Sequence, residues 1–308
     1  MSCPACFSGS THDHAEPRGT IETIHGVRTY VAGGSDPSKS KSTIIYLPDI
    51  FSLKLVNNKI LADDYATATG CTVYIPDVVY GGGMSPSLMD KMNVVLTPNP
   101  TWTIGGVLSK IYAAITLIPQ AVPFMILADP KKVYPQILGY ARGVKADLPA
   151  GGKLGVCGFC WGAWPSTKLC VETATEAVRE GGSGADDRST VRLIDAQFNG
   201  HPSYIVKTPQ MIVDAVKKFK VPYTVAVASD DMQFNKTEAE KVEATLRSEV
   251  GEPGGSNPQG YAYEFRMYDG CVHGFCVRAP VGKKDDVNEK GFFESKQQAI
   301  DWFNKYLN

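Results

Sequence analysis

Apolar runs and amphipathic stretches alternate along most of the chain. The strand-like runs cover residues 26–32, 42–48, 71–76, 154–156, 191–198, 221–228 and 261–268. Short apolar runs that end at polar or glycine-rich turns are typical of buried strands. The helix-like stretches cover residues 54–69, 163–178 and 289–307. Because strands that alternate with helices form a mostly parallel sheet covered on both faces, the pattern predicts an α/β fold.

The alternation stops between residues 80 and 150, where prolines and the Gly81-Gly-Gly83 run interrupt the pattern. A long insertion in a compact domain is often a lid, so we predict a helical cap-like insertion around the apolar stretch 104–118. The stretch 104–127 contains Lys110 and two prolines, and we therefore expect no membrane span. Residues 1–20 predict a loosely attached arm before a single domain over residues 21–308.

Composition narrows the class of protein. A chain of 308 residues, 43% hydrophobic and 20% charged, can bury one large core. A net charge of −1 argues against partners with strong negative potential, namely nucleic acid and anionic membranes. The first residues have no signal-peptide layout, which predicts a cytoplasmic protein. Eight cysteines without regular spacing do not suggest a disulfide scaffold.

The strongest chemical signal follows the strand-like run 154–156. There the chain reads Cys157-Gly-Phe-Cys160-Trp-Gly162 and continues into a helix-like stretch. Gly158 and Gly162 frame Cys160 as glycines frame the nucleophile of a strand–turn–helix elbow, where a Cβ atom would clash. The N-terminus of the following helix favours a thiolate over a thiol. We therefore predict that Cys160 is a nucleophile.

An acid and a histidine follow the elbow. Asp230 and Asp231 come directly after the run 221–228, and His273 comes shortly after the run 261–268. Nucleophile, acid and histidine in this order, the last two on loops after strands, predict an α/β-hydrolase fold. The residues alone leave Asp230 and Asp231 as alternative acids, with Asp269 as a weaker candidate.

The chain from about residue 21 to its end resembles the dienelactone hydrolase family, especially its fungal branch. The matching segments are 46–51 followed by Asn57, 61–66, 73–77, 155–162, 201–203, 231–234 and 273–275. The resemblance implies hydrolysis of a small-molecule lactone or ester with no cofactor and no metal. The protein is then expected to be a monomer or a homodimer.

The resemblance also implies roles for individual residues. The family has a Cys-Asp-His triad, which corresponds here to Cys160, Asp231 and His273. Its oxyanion hole uses two backbone N–H groups, which correspond to those of Trp161 and Ile50.

Two departures from the family concern the substrate. Bacterial members of the family hold a substrate carboxylate with two arginines. The position of the first arginine corresponds here to the segment 79–83, which contains no arginine. The second arginine is displaced by one residue, to Arg278. We therefore expect a larger and more apolar substrate. The side chains expected to line the site are Asp49, which faces the resting thiol in the family, Phe51, Tyr80, Trp164, His201, Phe275 and Arg278. Two of these residues have an alternative role: His201 is also a candidate loop anchor, and Arg278 is also a candidate surface cation.

Other interpretations remain open at this point. The Cys157-x-x-Cys160 spacing is that of thioredoxin-like redox proteins, so a thiol–disulfide function is one alternative. A hydrolase-fold protein that binds without turnover is another. Cys3-x-x-Cys6 with His12-x-His14 is similar to a zinc cluster, but its spacing is not that of a structural zinc site, and we expect no metal there.

Overall fold

The computed structural model describes residues 9–33, 40–96, 103–175, 191–254, 260–283 and 285–308. Within these residues, eight strands form one sheet in the order β1-β2-β4-β3-β5-β6-β7-β8. β1 and β2 pair with each other, and β2 with β4, in antiparallel fashion; the other pairs are parallel. The strands are β1 Thr20–Ile24, β2 Val27–Ala32, β3 Thr43–Leu47, β4 Thr72–Pro76, β5 Leu154–Phe159, β6 Ala196–Gly200, β7 Tyr223–Ala228 and β8 Tyr263–Tyr268.

Helices cover the sheet and build the insertion. They are α1 Val56–Thr69, α2 Ser87–Leu96, α3 Ile104–Leu127, α4 Pro130–Asp147, α5 Ala163–Leu169, α6 Gln210–Phe219, α7 Lys236–Val250, α8 Phe275–Arg278 and α9 Val287–Leu307. A Cβ atom added to Gly155 would meet Phe303 and Leu307 of α9, whereas one added to Gly158 would meet Ser166 of α5. Because positions 155 and 158 point to opposite faces of β5, α5 and α9 pack on opposite sides of the sheet.

The central strands β3, β5 and β7 are mostly apolar and β6 also holds Gln197 and Asn199, and both faces of these four strands are covered. Every residue of β3, β5, β6 and β7 is buried. Parallel strands of this kind read as continuous apolar runs, and their carboxyl ends meet at one edge of the sheet. The loops after β3, β5, β6, β7 and β8 therefore converge there, which confirms the predicted α/β-hydrolase architecture and positions the candidate site.

Several elements differ from the sequence prediction, which did not include β1. The helix expected over residues 163–178 ends at Leu169. The chain after it pairs with the segment before β6, through a bridge between Thr173 and Arg192. β6 begins at Ala196, so Asp195 precedes the strand instead of lying within it. The Asp195 carboxylate accepts hydrogen bonds from the Leu154 backbone N–H at 2.8 Å and from Lys145 Nζ at 2.5 Å, which ties β5 to α4.

The insertion consists of α2, α3 and α4. The helix expected over 104–118 continues to Leu127, although it contains Pro119 and Pro123. Both prolines lie on the exposed side of α3.

The described part of the N-terminal arm lies against the body. The backbone N–H of His12 donates to Asn57 Oδ1 at 2.8 Å, and the His12 ring hydrogen-bonds the carbonyl oxygen of Ala279 at 2.8 Å. The backbone N–H of Arg18 donates to Asp63 at 2.7 Å. The expectation of a loose arm is therefore wrong for these residues, while Cys3 and Cys6 lie outside the described residues.

Candidate active site

Cys160 occupies a strained turn directly after β5. Its φ angle is 51°, in the left-handed region that residues with a side chain rarely adopt. A Cβ atom on Gly162 would lie 2.1 Å from the carbonyl oxygen of Leu47, and one on Gly158 would lie 2.4 Å from that of Gly162. Both glycines are thus required by close backbone packing. The sharp turn places the Cys160 side chain at the carboxyl edge of the sheet.

The acid and the histidine meet at the same edge. His273 Nδ1 lies 2.8 Å from Asp231 Oδ2, and both side chains are fully buried. The Cys160 thiol hydrogen-bonds the same imidazole. Burial by itself disfavours a charged imidazole, but the charges of Asp231 and Cys160 raise the pKa of His273 well above its usual value. The surroundings therefore favour the protonated form of the His273 imidazole.

Only one of the three candidate acids reaches His273. Asp231 is buried, and its second carboxylate oxygen accepts the backbone N–H of Gln233 at 2.7 Å. Asp230 and Asp269 are exposed. The turn after β7 points consecutive side chains in different directions, so the choice between Asp230 and Asp231 depends on the geometry of this turn.

The loop after β6 contributes a residue that sequence reasoning did not single out. Ser203 Oγ lies 3.4 Å from Cys160 Sγ and 3.5 Å from His273 Nε2. The Ser203 backbone N–H also donates to the carbonyl oxygen of Cys160 at 2.9 Å. The only sequence signal for Ser203 was its place in the His201-Pro-Ser203 motif.

His201 lies beside His273 in the same loop. It is fully buried, and its ring packs edge-on against that of His273 with the ring centres 5.0 Å apart. Neither His201 ring nitrogen has a hydrogen-bond partner among the described residues. Burial, with the nearby charges of His273 and Arg278, lowers the pKa of His201 well below its usual value, so this imidazole is neutral. His201 therefore lines the site from the side of the histidine.

A second buried ion pair lies near the thiol. Arg278 Nη1 donates to Asp49 Oδ2 at 2.8 Å, and both side chains are fully buried. The other Asp49 oxygen accepts hydrogen bonds from the Phe51 backbone N–H and from Asn58, each at 3.1 Å. Burial raises the pKa of Asp49, and the nearby Cys160 contributes to this rise. The positive charge of Arg278 acts in the opposite direction but does not cancel it.

Arg278 is accordingly not a surface cation. Its guanidinium lies 5.3 Å from the centre of the Phe51 ring, and its Nε and Nη2 atoms have no hydrogen-bond partner among the described residues.

The two expected oxyanion donors follow neighbouring strands at the sheet edge. In the parallel pairing of β3 with β5, Leu47 is aligned with Gly158. Ile50 and Trp161 each follow that pair by three residues and are both buried. The register thus brings the two backbone segments together around Cys160.

The remaining predicted lining residues divide into two groups. Phe275 is buried and contacts both Tyr268 and the His201 ring. Trp164 is nearly buried and packs edge-on against Tyr134 of α4. Tyr80 is half exposed, and no contact that the structure describes ties it to Cys160.

The insertion touches the elbow at one point. The indole N–H of Trp161 donates to the carbonyl oxygen of Ala128, between α3 and α4, at 2.5 Å. Cys160 is fully buried beneath its surroundings. The α3–α4 corner therefore forms part of the cover over the nucleophile position.

Comparisons with known proteins agree on the family. Residues 27–307 match the dienelactone hydrolase family. The chain belongs to this family. It is 24% identical to the hydrolase pyvD of Aspergillus violaceofuscus, over 98% of this chain and 96% of the relative. It is 25% identical to the hydrolase tropI of Talaromyces stipitatus, over 100% of this chain and 96% of the relative.

A solved structure supports the fold. The structure of a putative dienelactone hydrolase from Klebsiella pneumoniae covers 94% of this chain and 98% of its own, with a TM-score of 0.58 at 14% identity. Membership of the dienelactone hydrolase family supports a hydrolase that acts on esters or lactones.

The buried ion pair generates a prediction about stability. Arg278→Met leaves the Asp49 carboxylate buried without its cation, so we expect the free energy of unfolding to fall by about 3 kcal/mol or more. The double variant Asp49→Asn/Arg278→Met should recover most of that loss. Chemical denaturation measures all three proteins.

The matched control is Arg28→Met. Arg28 pairs with Asp77 at 2.9 Å, close to the 2.8 Å of the buried pair, but the Arg28 side chain is 58% exposed. This variant should therefore lose about 1 kcal/mol or less of the free energy of unfolding. Equal losses in Arg278→Met and Arg28→Met would contradict the interpretation of a tightly coupled buried pair.

Proposed function

We propose that the protein hydrolyses an ester or lactone through a thioester formed on Cys160. The observation that carries the proposal is the unbroken chain of contacts from Asp231 through His273 to Cys160, at a strained elbow. Thiolate, imidazolium and carboxylate in this order are what nucleophilic acyl transfer requires.

In the first half of the reaction, the Cys160 thiolate attacks the carbonyl carbon and forms a C–S bond. The negative charge moves to the carbonyl oxygen, which accepts hydrogen bonds from the backbone N–H groups of Trp161 and Ile50. Each such donor contributes about 3 kcal/mol to stabilisation of the transition state in other hydrolases. The C–O bond then breaks, and the leaving alkoxide takes the proton from His273.

In the second half, water attacks the thioester carbonyl and His273 accepts the water proton. The C–S bond breaks, which releases the carboxylic acid and restores the Cys160 thiolate. Asp231 holds the imidazole through its Nδ1 atom and stabilises the protonated form in both halves. No cofactor is needed, because every proton and electron pair moves between substrate, water and these side chains.

The burial of Cys157 argues against the redox alternative. Cys157 lies within β5 and is fully buried, and burial raises its pKa well above the usual value. Thiol–disulfide exchange needs a thiolate, and the raised pKa disfavours that form of Cys157.

The proposed substrate is a neutral, predominantly apolar lactone or ester. The guanidinium of Arg278 is buried and paired with Asp49, so its charge is already compensated. The segment 79–83 supplies no arginine, and its glycines are held by Lys54, whose Nζ donates to the carbonyl oxygen of Gly81 at 3.0 Å. Among the described residues, a small dicarboxylic substrate would therefore find no unpaired arginine in this part of the site.

The first test concerns the nucleophile. Cys160→Ala should abolish turnover of activated esters, while the matched Cys157→Ala should keep the wild-type rate within a few-fold and lose about 1 kcal/mol of stability. Mass spectrometry of the wild type with a slowly hydrolysed ester should show transient acylation at Cys160. Equal loss of activity in both variants would favour the redox function, and acylation without release would favour a binding protein.

The second test concerns the acid. Asp231→Asn should lower kcat by several orders of magnitude, because an asparagine stabilises the wrong tautomer of His273 and cannot balance its charge. Asp230→Asn is the control, since this exposed neighbour should retain nearly full activity. Steady-state kinetics would refute the assignment of Asp231 if the two variants ranked in the opposite order.

The third test concerns the substrate. We expect kcat/KM for a neutral aromatic or alkyl lactone to exceed that for a carboxylated dienelactone by tenfold or more, because a desolvated carboxylate without a free partner is costly to bind. A tenfold preference for the carboxylated compound would contradict the proposed substrate class.

A further inference from the structure

Helix α3 presents an apolar face to solvent. The stripe consists of Leu108, Ile111, Tyr112, Ile115, Val122 and Ile126, which we call the α3 stripe. Its members are spaced so that they lie on one side of the helix. Tyr112 is 70% and Ile115 is 63% exposed, and the others are also exposed.

The opposite side of α3 already supplies the contact with the body. Ala113, Leu117, Ala121 and Phe124 are buried there, and the last three belong to the hydrophobic core. A surface helix normally carries polar side chains on its outer face, but Lys110 is the only charged residue in α3. Packing among the described residues of one chain therefore does not account for the apolar character of the α3 stripe.

The size of the stripe matches a protein interface. A helix of 24 residues is about 36 Å long. The six side chains, each between 44% and 70% exposed, offer several hundred Å² of apolar surface, which approaches the roughly 800 Å² that one partner contributes to an interface of standard size. Exposed patches of a few hundred Å² or more already indicate interaction sites.

We infer that the α3 stripe binds the same stripe of a second copy of this chain, in a two-fold symmetric dimer. An uncharged stripe of aliphatic side chains is complementary to itself, which a two-fold interface requires. Antiparallel packing of the two helices also places the positive end of each helix dipole beside the negative end of the other.

A lipid bilayer suits the stripe less well. By length and composition alone, residues 104–124 could cross a membrane, and only 24% of this stretch is buried. Helices that lie on membranes combine the apolar face with many lysines and arginines beside it. Lys132, near one end of the stripe, donates to the carbonyl oxygen of Ile126 at 3.1 Å and so caps α3.

Sedimentation equilibrium tests the dimer. The wild type should have twice the chain mass of 33.3 kDa at micromolar concentration. Ile115→Glu places a carboxylate at the centre of the interface and should raise the dissociation constant at least a hundredfold. The matched control is Ile21→Glu, at a residue of β1 that is 47% exposed and far from α3 in sequence, and it should leave the dimer intact.

Circular dichroism should show that all three proteins are folded equally. A monomeric wild type, or an unchanged dimer in Ile115→Glu, would overturn the inference. Flotation of a monomeric wild type with phosphatidylcholine or phosphatidylserine vesicles would assign the stripe to a bilayer instead.

A different observation carries a second inference, which concerns Ser203. Its hydroxyl is fully buried between Cys160 Sγ at 3.4 Å and His273 Nε2 at 3.5 Å. The loop that holds it is tightly determined, since His201 and Tyr204 on either side both have positive φ angles, 37° and 67°. Such backbone conformations are unfavourable in free energy and persist only where the surrounding contacts hold them.

The geometry points to Ser203 as a positioning residue for the thiolate. Its O–H donates to the Cys160 thiolate, and its oxygen accepts the Nε2–H of the His273 imidazolium, so that one hydroxyl favours both charged forms. This role rests on the proposed function, because it assumes the thiolate–imidazolium pair.

Alkylation of Cys160 by iodoacetamide across pH tests this role without requiring turnover. Ser203→Ala should shift the apparent thiol pKa upward by about half a pH unit or more and lower kcat about tenfold, with KM within threefold. Ser203→Thr, which restores the hydroxyl, should return the pH profile toward wild type. Mass spectrometry identifies Cys160 as the labelled residue.

An unchanged alkylation profile in Ser203→Ala would overturn the role of Ser203. If the wild type alkylates normally but turns over no ester, the proposed hydrolysis fails instead. The two failures are therefore distinguishable.

Discussion

The site depends on the close packing of the elbow against the end of β3. The Gly162 Cα lies so near the Leu47 carbonyl that a single added carbon atom would come within 2.1 Å of it. This contact fixes the direction in which the chain turns after β5, and with it the positive φ of Cys160. The thiol, the Trp161 backbone and the start of α5 all take their positions from that turn. A larger residue at position 162 would have to move one of the central strands.

Two buried ion pairs surround the thiol, and both are costly to desolvate. Asp231 with His273 and Asp49 with Arg278 are completely buried, and replacement of such pairs by apolar residues often leaves a protein as stable or more stable. Buried charges of this kind are therefore weak contributors to stability. They are consistent with a site that needs fixed charges next to a reacting carbonyl, where low dielectric strengthens their effect.

The insertion connects this site to the outer surface. Trp161 follows the nucleophile position, and its indole N–H holds the corner between α3 and α4 through Ala128. The same α3 carries the exposed apolar stripe on its other side. A partner bound to the stripe would therefore contact the helix whose end covers the elbow. Surface association and access to the site share one structural element.

Much of the fold could be predicted from the sequence because its signals are local. The apolar runs predicted as strands correspond to β5, β7 and β8. The observed boundaries of these strands differ from the predicted ones by only a few residues. The elbow was predictable for the same reason, since Gly158, Cys160 and Gly162 are close neighbours in sequence. The motifs also predicted the dienelactone hydrolase family, which the comparison confirms.

The predictions that failed depended on contacts between distant segments. The helix after the elbow stops at Leu169 because a segment about twenty residues later pairs with the chain that follows it. The N-terminal arm is held by Asn57 and Ala279, which no local pattern could indicate.

The sequence by itself determined seven of the eight strands that the structure describes, the nucleophile candidate and the order of acid and histidine, because short-range patterns encode them. Only the tertiary structure decided that Ser203 lies between sulfur and imidazole and that Arg278 pairs with Asp49. Local pattern left Asp230 and Asp231 as alternative acids, and the contact with His273 agrees with Asp231, which the family resemblance implied. Each of these depends on the direction of a side chain at the convergence of several loops. That direction follows from packing among residues far apart in the chain, and no local spacing specifies it.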